Sequence, residues 1–439
     1  MRHLPAGALK VPMSAPVDDR SWYWASLPNP PARSALTGQQ HCDVGVVGGG
    51  LAGLSAALHL AERGYRVTLL EAERVGWGAS GRSGAQALFG VAAGQDRLTR
   101  LIGATAARRI WDMSLEALDL MRERIAQHHI DCDFHSGQMH VAIKPRQVTE
   151  LRDWQRELHE VYGYTSVSML DNAATREHVA SERYLAGMFD ANSGHLHPLK
   201  YLRGLAAAAE RAGCVLHEGS RVRRHARHSG QLQLITAQGE LRCRHIVYAG
   251  NAWLGDTVPA LARRIMPVGT YIVATEPLGE STARALLPHD TAVTDINWVL
   301  DYFRRSSDHR LLFGGRVSYS GLDPFNTAEA TRHRMINVFP QLQNARIDFT
   351  WGGYVDITMN RAPDFGRLEP DVYYLQGFSG HGMALTGLAG KLVAEAVAGT
   401  AERFDVFARI PHREFPGGAL LRRPALVLAM LYYRLKDLL

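Results

Sequence analysis

Apolar and polar positions alternate along this chain in two periods, and the order in which those periods follow one another predicts a succession of strands and helices. Val44, Val46 and Val47 form a short apolar run that ends in glycines, and residues 51–63 then carry apolar side chains at helical spacing. A second apolar run over 66–70 delivers an acid, Glu71. The pattern turns helical over 96–162, most clearly at 106–127 where apolar residues recur three and four apart, with a short strand at 139–143. A helix over 199–212, stopped by Gly213, leads into strands at 215–218 and near Gln233 and Arg242. An apolar strand over 246–251 ends in a turn of small residues. Strands over 266–276 and 311–317, with 298–304 between them, read as a second sheet. The last units are a strand at 372–376, the turn Gly377-Phe378-Ser379-Gly380-His381-Gly382-Met383, and a helix over 384–398.

The first of these units carries chemistry. Gly48, Gly50 and Gly53 complete G-x-G-x-x-G between strand and helix. Gly48 permits the turn, Gly50 admits a pyrophosphate to the backbone, and Gly53 lets helix pack on strand. Leu51 and Ala52 open the helix, whose positive end faces the phosphates. Glu71, with Ala72 beside it, is placed to accept hydrogen bonds from a ribose hydroxyl. A dinucleotide site is the expectation. Gly76, Gly78 and Gly81 repeat the spacing, yet no separate strand precedes them and no acid-tipped unit follows. That stretch reads as a loop along the path of an extended cofactor, or as a plain surface turn.

Bulk properties narrow the setting. The 439 residues, 46% hydrophobic and 21% charged, exclude wholesale disorder and leave room for two domains. A net charge of +6 is mild. The short basic run of Arg223, Arg224 and Arg227 lacks interleaved aromatics, so a solvated face is expected there and no nucleic-acid partner. Cys42, Cys132, Cys214 and Cys243 are far apart, which argues against a disulfide framework, a zinc site or a redox dithiol and fits a reducing cytoplasm. His195 and His197 lack a third ligand nearby, so no metal is expected. No apolar stretch approaches the ~18 residues of a membrane span, and the N-terminal residues lack the apolar region of a signal peptide. The economical organisation is a cofactor-binding domain from 41–95, 193–262 and 347–400, with a substrate domain from 96–192 and 263–346 threaded between. Residues 1–40 form a proline-rich arm that docks through Trp22, Tyr23 and Trp24, and 401–439 a C-terminal tail.

Taken in order, several pieces resemble the D-amino-acid oxidase-like FAD-dependent oxidoreductases, a family that includes sarcosine and glycine oxidases. They are Trp22 to Trp24, the Gly48 fingerprint, Gly78-Ala79-Ser80-Gly81-Arg82, Gly194-His195-Leu196-His197-Pro198, Ala274-Thr275-Glu276-Pro277-Leu278-Gly279, Ser379-Gly380-His381-Gly382 and Phe415-Pro416-Gly417-Gly418. The resemblance runs nearly the whole chain. It implies an α/β (α+β) fold, with a Rossmann-like FAD-binding domain interleaved with a substrate domain on a mixed or antiparallel sheet. It also implies an enzyme that oxidises an amine CH–NH or CH–NH2 group to an imine, which water then hydrolyses. One fingerprint without a nicotinamide half fits FAD. Ser80, Gly81, Arg82, Ser83, Gly84 and Gln86 follow the path of the ribityl chain and isoalloxazine, and Val222, Ala249 and Gly250 complete the dinucleotide contacts. Gly377, Ser379, Gly380, His381, Gly382 and Met383 present N–H groups and a helix dipole to the flavin.

Members that attach flavin through a cysteine have it where Gly353 stands here, so noncovalent FAD is expected. The lysine with which such members activate oxygen gives way to Leu312, which weighs against a fast oxidase. The favoured substrate is γ-glutamylputrescine or a related γ-glutamyl polyamine of putrescine catabolism. The stretches Arg82-Ser83-Gly84-Ala85-Gln86 and Gly352-Gly353-Tyr354-Val355-Asp356 depart from the pattern expected for that substrate. The alternatives are a secondary or cyclic amino acid such as L-pipecolate, with electrons passing to a quinone rather than to oxygen, and a flavin-carrying electron-transfer subunit. Candidate positioning groups are Tyr271, Tyr354, Asp356, Arg316 and His381. Arg316 is suited to a bidentate carboxylate contact or to a surface salt bridge, and a mid-strand Tyr271 is more commonly core. Tyr354 and Asp356 share a strand face, as a cavity wall or as a buried pair. Residues 424–439 suit either a peripheral membrane contact or packing on the body.

Overall fold

Short, largely apolar runs such as Val44–Val47 and Val67–Leu70 suit strands covered on both faces, and both are fully buried. The computed structural model describes residues 21–318 and 327–416, with the backbone alone for Asp256 and 316–318. These residues form three sheets. In the six-stranded sheet, Val44–Val47 is flanked by Val67–Leu70 and then Val215–His217 on one side, and by His245–Tyr248, Val372–Gln376 and Asp364–Glu369 on the other. All neighbours run parallel except the last pair. Helices Leu51–Glu62 and Gly382–Val397 touch backbone to backbone: a Cβ on Gly390 would lie 2.4 Å from the Ala56 nitrogen. The fold is thus a Rossmann-like layer assembled from distant stretches of chain.

The nine-stranded sheet runs Ile347–Thr358, Ile265–Thr275, Leu311–Ser318, Tyr302–Arg305, Ala292–Asp295, His135–Ala142, Ala186–His195 and Gln86–Ala87, with Val167–Leu170 also paired to Ala186–His195. It is mixed, since Ala292–Asp295 lies parallel to His135–Ala142 while Ile265–Thr275 pairs antiparallel on both sides. A small four-stranded sheet joins Gly38–His41, Gly239–Cys243, Gln231–Ile235 and Arg224–His228.

Three expected boundaries move. Ile347–Thr358 pairs along its length with Ile265–Thr275, so it belongs to the large sheet and the return to the six-stranded sheet begins at Asp364. The residues from 193 to His195 end a large-sheet strand instead of opening a cofactor-binding stretch. The expected arm, residues 1–40, ends inside a strand, because Gly38–His41 pairs parallel with Gly239–Cys243. Alternation identifies a strand, but its partner is settled by packing between distant segments. Trp22–Ala25 forms one helical turn, capped by Ser21, and buries Trp22, Tyr23 and Trp24 against Leu199, Ile272, Leu312 and Trp351. No helix among the described residues is long and apolar enough to cross a membrane. The 424–439 segment, Gly417 and Gly418 lie outside the described residues.

Candidate active site

The strand Val44–Val47 ends at Gly48, whose φ of +113° lies where side chains are strained; a Cβ there would stand 2.6 Å from the Ala249 carbonyl oxygen. On the helix that follows, a Cβ at Gly53 would stand 2.0 Å from the Gly48 oxygen. Ser80 closes the mouth of the turn: its Oγ accepts from the Leu51 N–H at 3.0 Å and would meet a Cβ on Gly50 at 2.9 Å. Glu71 accepts from the Gly49 N–H at 2.6 Å and the Glu73 N–H at 2.9 Å. Burial raises its pKa against the pull of those two donors. Each carboxylate oxygen keeps a further lone pair for a ribose hydroxyl. Ala72, Val222, Ala249 and Gly250 line the same cleft as Gly48, Gly50, Glu71 and Ser80.

Among the residues of this cleft that sequence reasoning missed are Trp77, Asn251 and Trp253. Trp77 meets Trp253 edge to face at 4.7 Å, and Trp253 meets Tyr354 likewise at 5.7 Å. The Asn251 Oδ1 and Trp253 Nε1 atoms are buried without a partner in the protein. Unpaired buried polar groups are costly, so these two stand as an acceptor and a donor for a ligand. Their signal was their position directly after the small residues Ala249 and Gly250. Trp77 lay inside the second glycine motif.

That second motif is no loose surface turn. The Gly76 N–H donates to the Gly49 carbonyl at 3.2 Å, and a Cβ on Gly81 would stand 2.0 Å from the Gly76 oxygen. Arg82 is buried, with its Nε donating to the Trp77 carbonyl at 2.7 Å and its own carbonyl accepting from Trp351 Nε1 at 3.0 Å. Gly353 lies against it, 3.4 Å from an added Cβ to the Arg82 Cβ. Past Arg82 the loop crosses onto the large sheet, where a Cβ on Gly84 would meet the Tyr302 ring at 2.5 Å. Gln86, expected beside the cofactor, is committed to that sheet instead: it donates to the Val293 carbonyl at 3.1 Å and accepts from Thr294 Oγ1 at 2.6 Å. The loop is the seam between cleft and sheet.

The turn after Val372–Gln376 is held from below. The Gly377 N–H donates to the Asp356 carboxylate, the Ser379 N–H donates to the Asp356 carbonyl at 3.1 Å, and Ser379 Oγ donates to the Gly377 carbonyl at 3.2 Å. Asp356, expected to face a substrate, is therefore a brace for this turn, and burial pushes its pKa up to about 7. His381 caps the helix Gly382–Val397. Burial, then the neighbouring Arg361 charge, pull its pKa down to about 4. Burial, then the charge of His381, pull the pKa of His140, on the strand His135–Ala142, down to about 3. Gly380 is exposed, Gly382 is half-buried and Met383 buried.

Tyr271 is buried, with its ring 2.8 Å from where a Cβ on Gly352 would stand. Tyr354 is half-buried against Trp253. Arg316 lies opposite Tyr271 in register, and its side chain is outside the described residues. Leu312 packs in the apolar cluster of Trp22, Trp24 and Trp351. His195 lies 2.7 Å from the Asp290 carbonyl through Nε2, while His197 accepts from the Lys200 N–H at 3.2 Å. The glycine cradle, the two unpaired polar atoms and the turn opening Gly382–Val397 fit a dinucleotide whose far end reaches the large sheet.

Comparison with known proteins agrees with this geometry. The DAO family, described as FAD dependent oxidoreductase, matches residues 43–396. The chain is 43% identical to the γ-glutamylputrescine oxidoreductase of Escherichia coli (strain K12), over 95% of this chain and 98% of that protein. It is 40% identical to the probable oxidoreductase OrdL of Haemophilus influenzae, over 95% and 97%. Among solved structures, a glycine oxidase from Bacillus cereus superposes with a TM-score of 0.68 at 22% identity, covering 85% of this chain and 99% of that one. An L-proline dehydrogenase from P. horikoshii gives 0.67 at 21% identity, covering 82% and 94%. These two share the fold.

Proposed function

The chain belongs to the DAO family of FAD-dependent oxidoreductases, and from that premise we propose that it oxidises γ-glutamylputrescine, or a related γ-glutamyl polyamine, at the carbon bearing an amine. That it is an FAD-dependent enzyme acting on CH–NH groups rests on the family and on full-length relatives. The single observation that carries the substrate is identity of 43% with the E. coli enzyme of that name, extended over 95% of this chain and so over both sheets.

Bound FAD supplies the hydride acceptor. The chain's own residues then bind and orient. Gly48, Gly50 and the first amides of Leu51–Glu62 would hold the pyrophosphate, and Glu71 the ribose. Residues 80–85 and the Gly377–Met383 turn would hold the flavin, with the positive end of Gly382–Val397 favouring negative charge there. Asp356 keeps that turn in place. His381, neutral at pH 7, accepts a hydrogen bond from the substrate amine without repelling a cationic group elsewhere on the substrate. Tyr271 and Tyr354 form the substrate wall in this reading. Gly353 offers no thiol, which supports noncovalent FAD, and a reducing, cytoplasmic setting belongs to the same reading. Oxygen or a quinone takes the electrons.

Anaerobic bleaching of the flavin band tests the proposal. γ-Glutamylputrescine is expected to bleach the protein faster than putrescine, L-pipecolate, sarcosine or D-amino acids. Bleaching by L-pipecolate or sarcosine instead would overturn the substrate assignment while leaving amine oxidation intact. Rapid recolouring on readmission of air identifies oxygen as acceptor, and slow recolouring that a quinone analogue speeds identifies a quinone.

A further inference from the structure

Arg304, 4% exposed on the strand Tyr302–Arg305, has no carboxylate partner among the described residues. A buried guanidinium without a counter-ion is expensive. Its donors go to neutral oxygens: Nε to the Gly84 carbonyl at 3.0 Å, one terminal nitrogen to the Arg305 carbonyl at 3.0 Å, the other to the Tyr23 hydroxyl at 3.0 Å. Tyr23, fully buried, donates in turn to the Ser83 carbonyl at 2.9 Å. His195 and His197 are also within its field, and burial ahead of that field keeps both neutral. The aromatic arm and the histidine pair thus surround one buried cation under the seam loop.

The consequence for the loop follows from peptide geometry. In a planar trans peptide the carbonyl of one residue and the N–H of the next point in opposite directions. With the Ser83 and Gly84 carbonyls drawn toward Tyr23 and Arg304, the Gly84 and Ala85 N–H groups face away from that cluster. No described residue accepts from either. Ala85 holds a left-handed φ of +60°, a strained conformation for a residue with a side chain. Ser83 Oγ, in the same turn, is buried and unpartnered. Consecutive outward N–H groups of this kind form an anion-binding concavity.

We propose that Arg304, acting with Tyr23 through the Ser83 and Gly84 carbonyls, is a positioning residue that aims the Gly84 and Ala85 N–H groups at the negative charge a hydride brings onto the cofactor. Its own charge adds to their effect across a low-dielectric layer. The proposal rests on the FAD reading but not on the identity of the amine.

The test compares the FAD-loaded protein with Arg304→Met, Arg304→Lys and Tyr23→Phe, reading the midpoint potential of bound FAD and the sulfite dissociation constant from bleaching of the flavin band. Sulfite is the probe because its addition to flavin also brings in a negative charge. Arg304→Met is expected to weaken sulfite binding about tenfold or more and to lower the potential. Arg304→Lys, which keeps the charge, should recover part of both. Tyr23→Phe, which removes one oxygen from a packed ring, should weaken sulfite binding about threefold. If Arg304→Met loses FAD on purification, Tyr23→Phe decides. Wild-type sulfite affinity and potential in the FAD-bound variants would overturn the proposal alone. A wild-type protein that binds no FAD would overturn it together with the flavin reading.

Discussion

Asp356 shows what a single side chain does once its surroundings are known. Its carboxyl is buried and its pKa is pushed up to about 7, even though the Gly377 N–H favours the ionised form. The unfolded chain would lose this proton near pH 4 while the folded chain keeps it, so between those values the native state binds more protons. Stability contributed by this group is therefore complete below pH 4 and lost as pH rises toward 7, at about 1.4 kcal/mol per pH unit. Asp356→Asn, which still accepts from Gly377, is expected to flatten that loss. Denaturant titrations from pH 4 to 7 check it, and an unchanged slope would show that the carboxyl is ionised throughout. His381 behaves oppositely. With its pKa near 4, its protonation cannot shape a pH–rate profile between pH 6 and 9. Stopped-flow bleaching of wild type and His381→Asn should show parallel profiles over that range, with the variant slower by about tenfold. Neither residue's environment was readable from its neighbours in sequence. Alternation put Tyr354 and Asp356 on one face without saying that the Gly377 turn would press against it.

At the scale of elements, the first strand, turn and helix were legible because each requirement is local. Gly48 needs its positive φ, and Gly53 its bare Cα against the Gly48 carbonyl, within six residues of one another. Gly53→Ala should therefore push the helix off the strand, costing about 1–3 kcal/mol of stability and about tenfold or more in FAD affinity. Fluorescence titration of the apoprotein with FAD checks this; wild-type affinity would mean the helix can shift without disturbing the cradle. The second glycine motif was legible only as glycine-rich. Its role came from the Gly76 bond to the Gly49 carbonyl and from Gln86 reaching across to Val293 and Thr294. Those contacts are long-range, and no local pattern encodes them.

On the scale of the whole molecule, neither large sheet is built from one continuous stretch. The six-stranded sheet takes strands from near 44, 67, 215, 245 and from 364 onward, and the nine-stranded sheet takes those between 135 and 195 and between 265 and 358 together with Gln86–Ala87. Pulling one sheet apart must drag the other, so far-ultraviolet dichroism and the release of flavin fluorescence are expected to report one coincident unfolding transition. Separated midpoints would show that the two layers melt independently. The chain by itself determined the first strand, glycine turn and helix with the acid after the next strand, several later strands and helices, and the aromatic docking of the arm, because those depend on backbone sterics and on hydrophobic period within a few residues; strands such as Ala186–His195 and Asp364–Glu369 were not legible in that period. Only the tertiary structure decided that Ile347–Thr358 joins the large sheet, that Asp356 braces a turn, that Trp77, Asn251 and Trp253 share the cleft, and that Arg304 stands buried under the seam. Each of these depends on which distant segments exclude water together, and burial, not residue type, sets the charge and the partners of the groups involved.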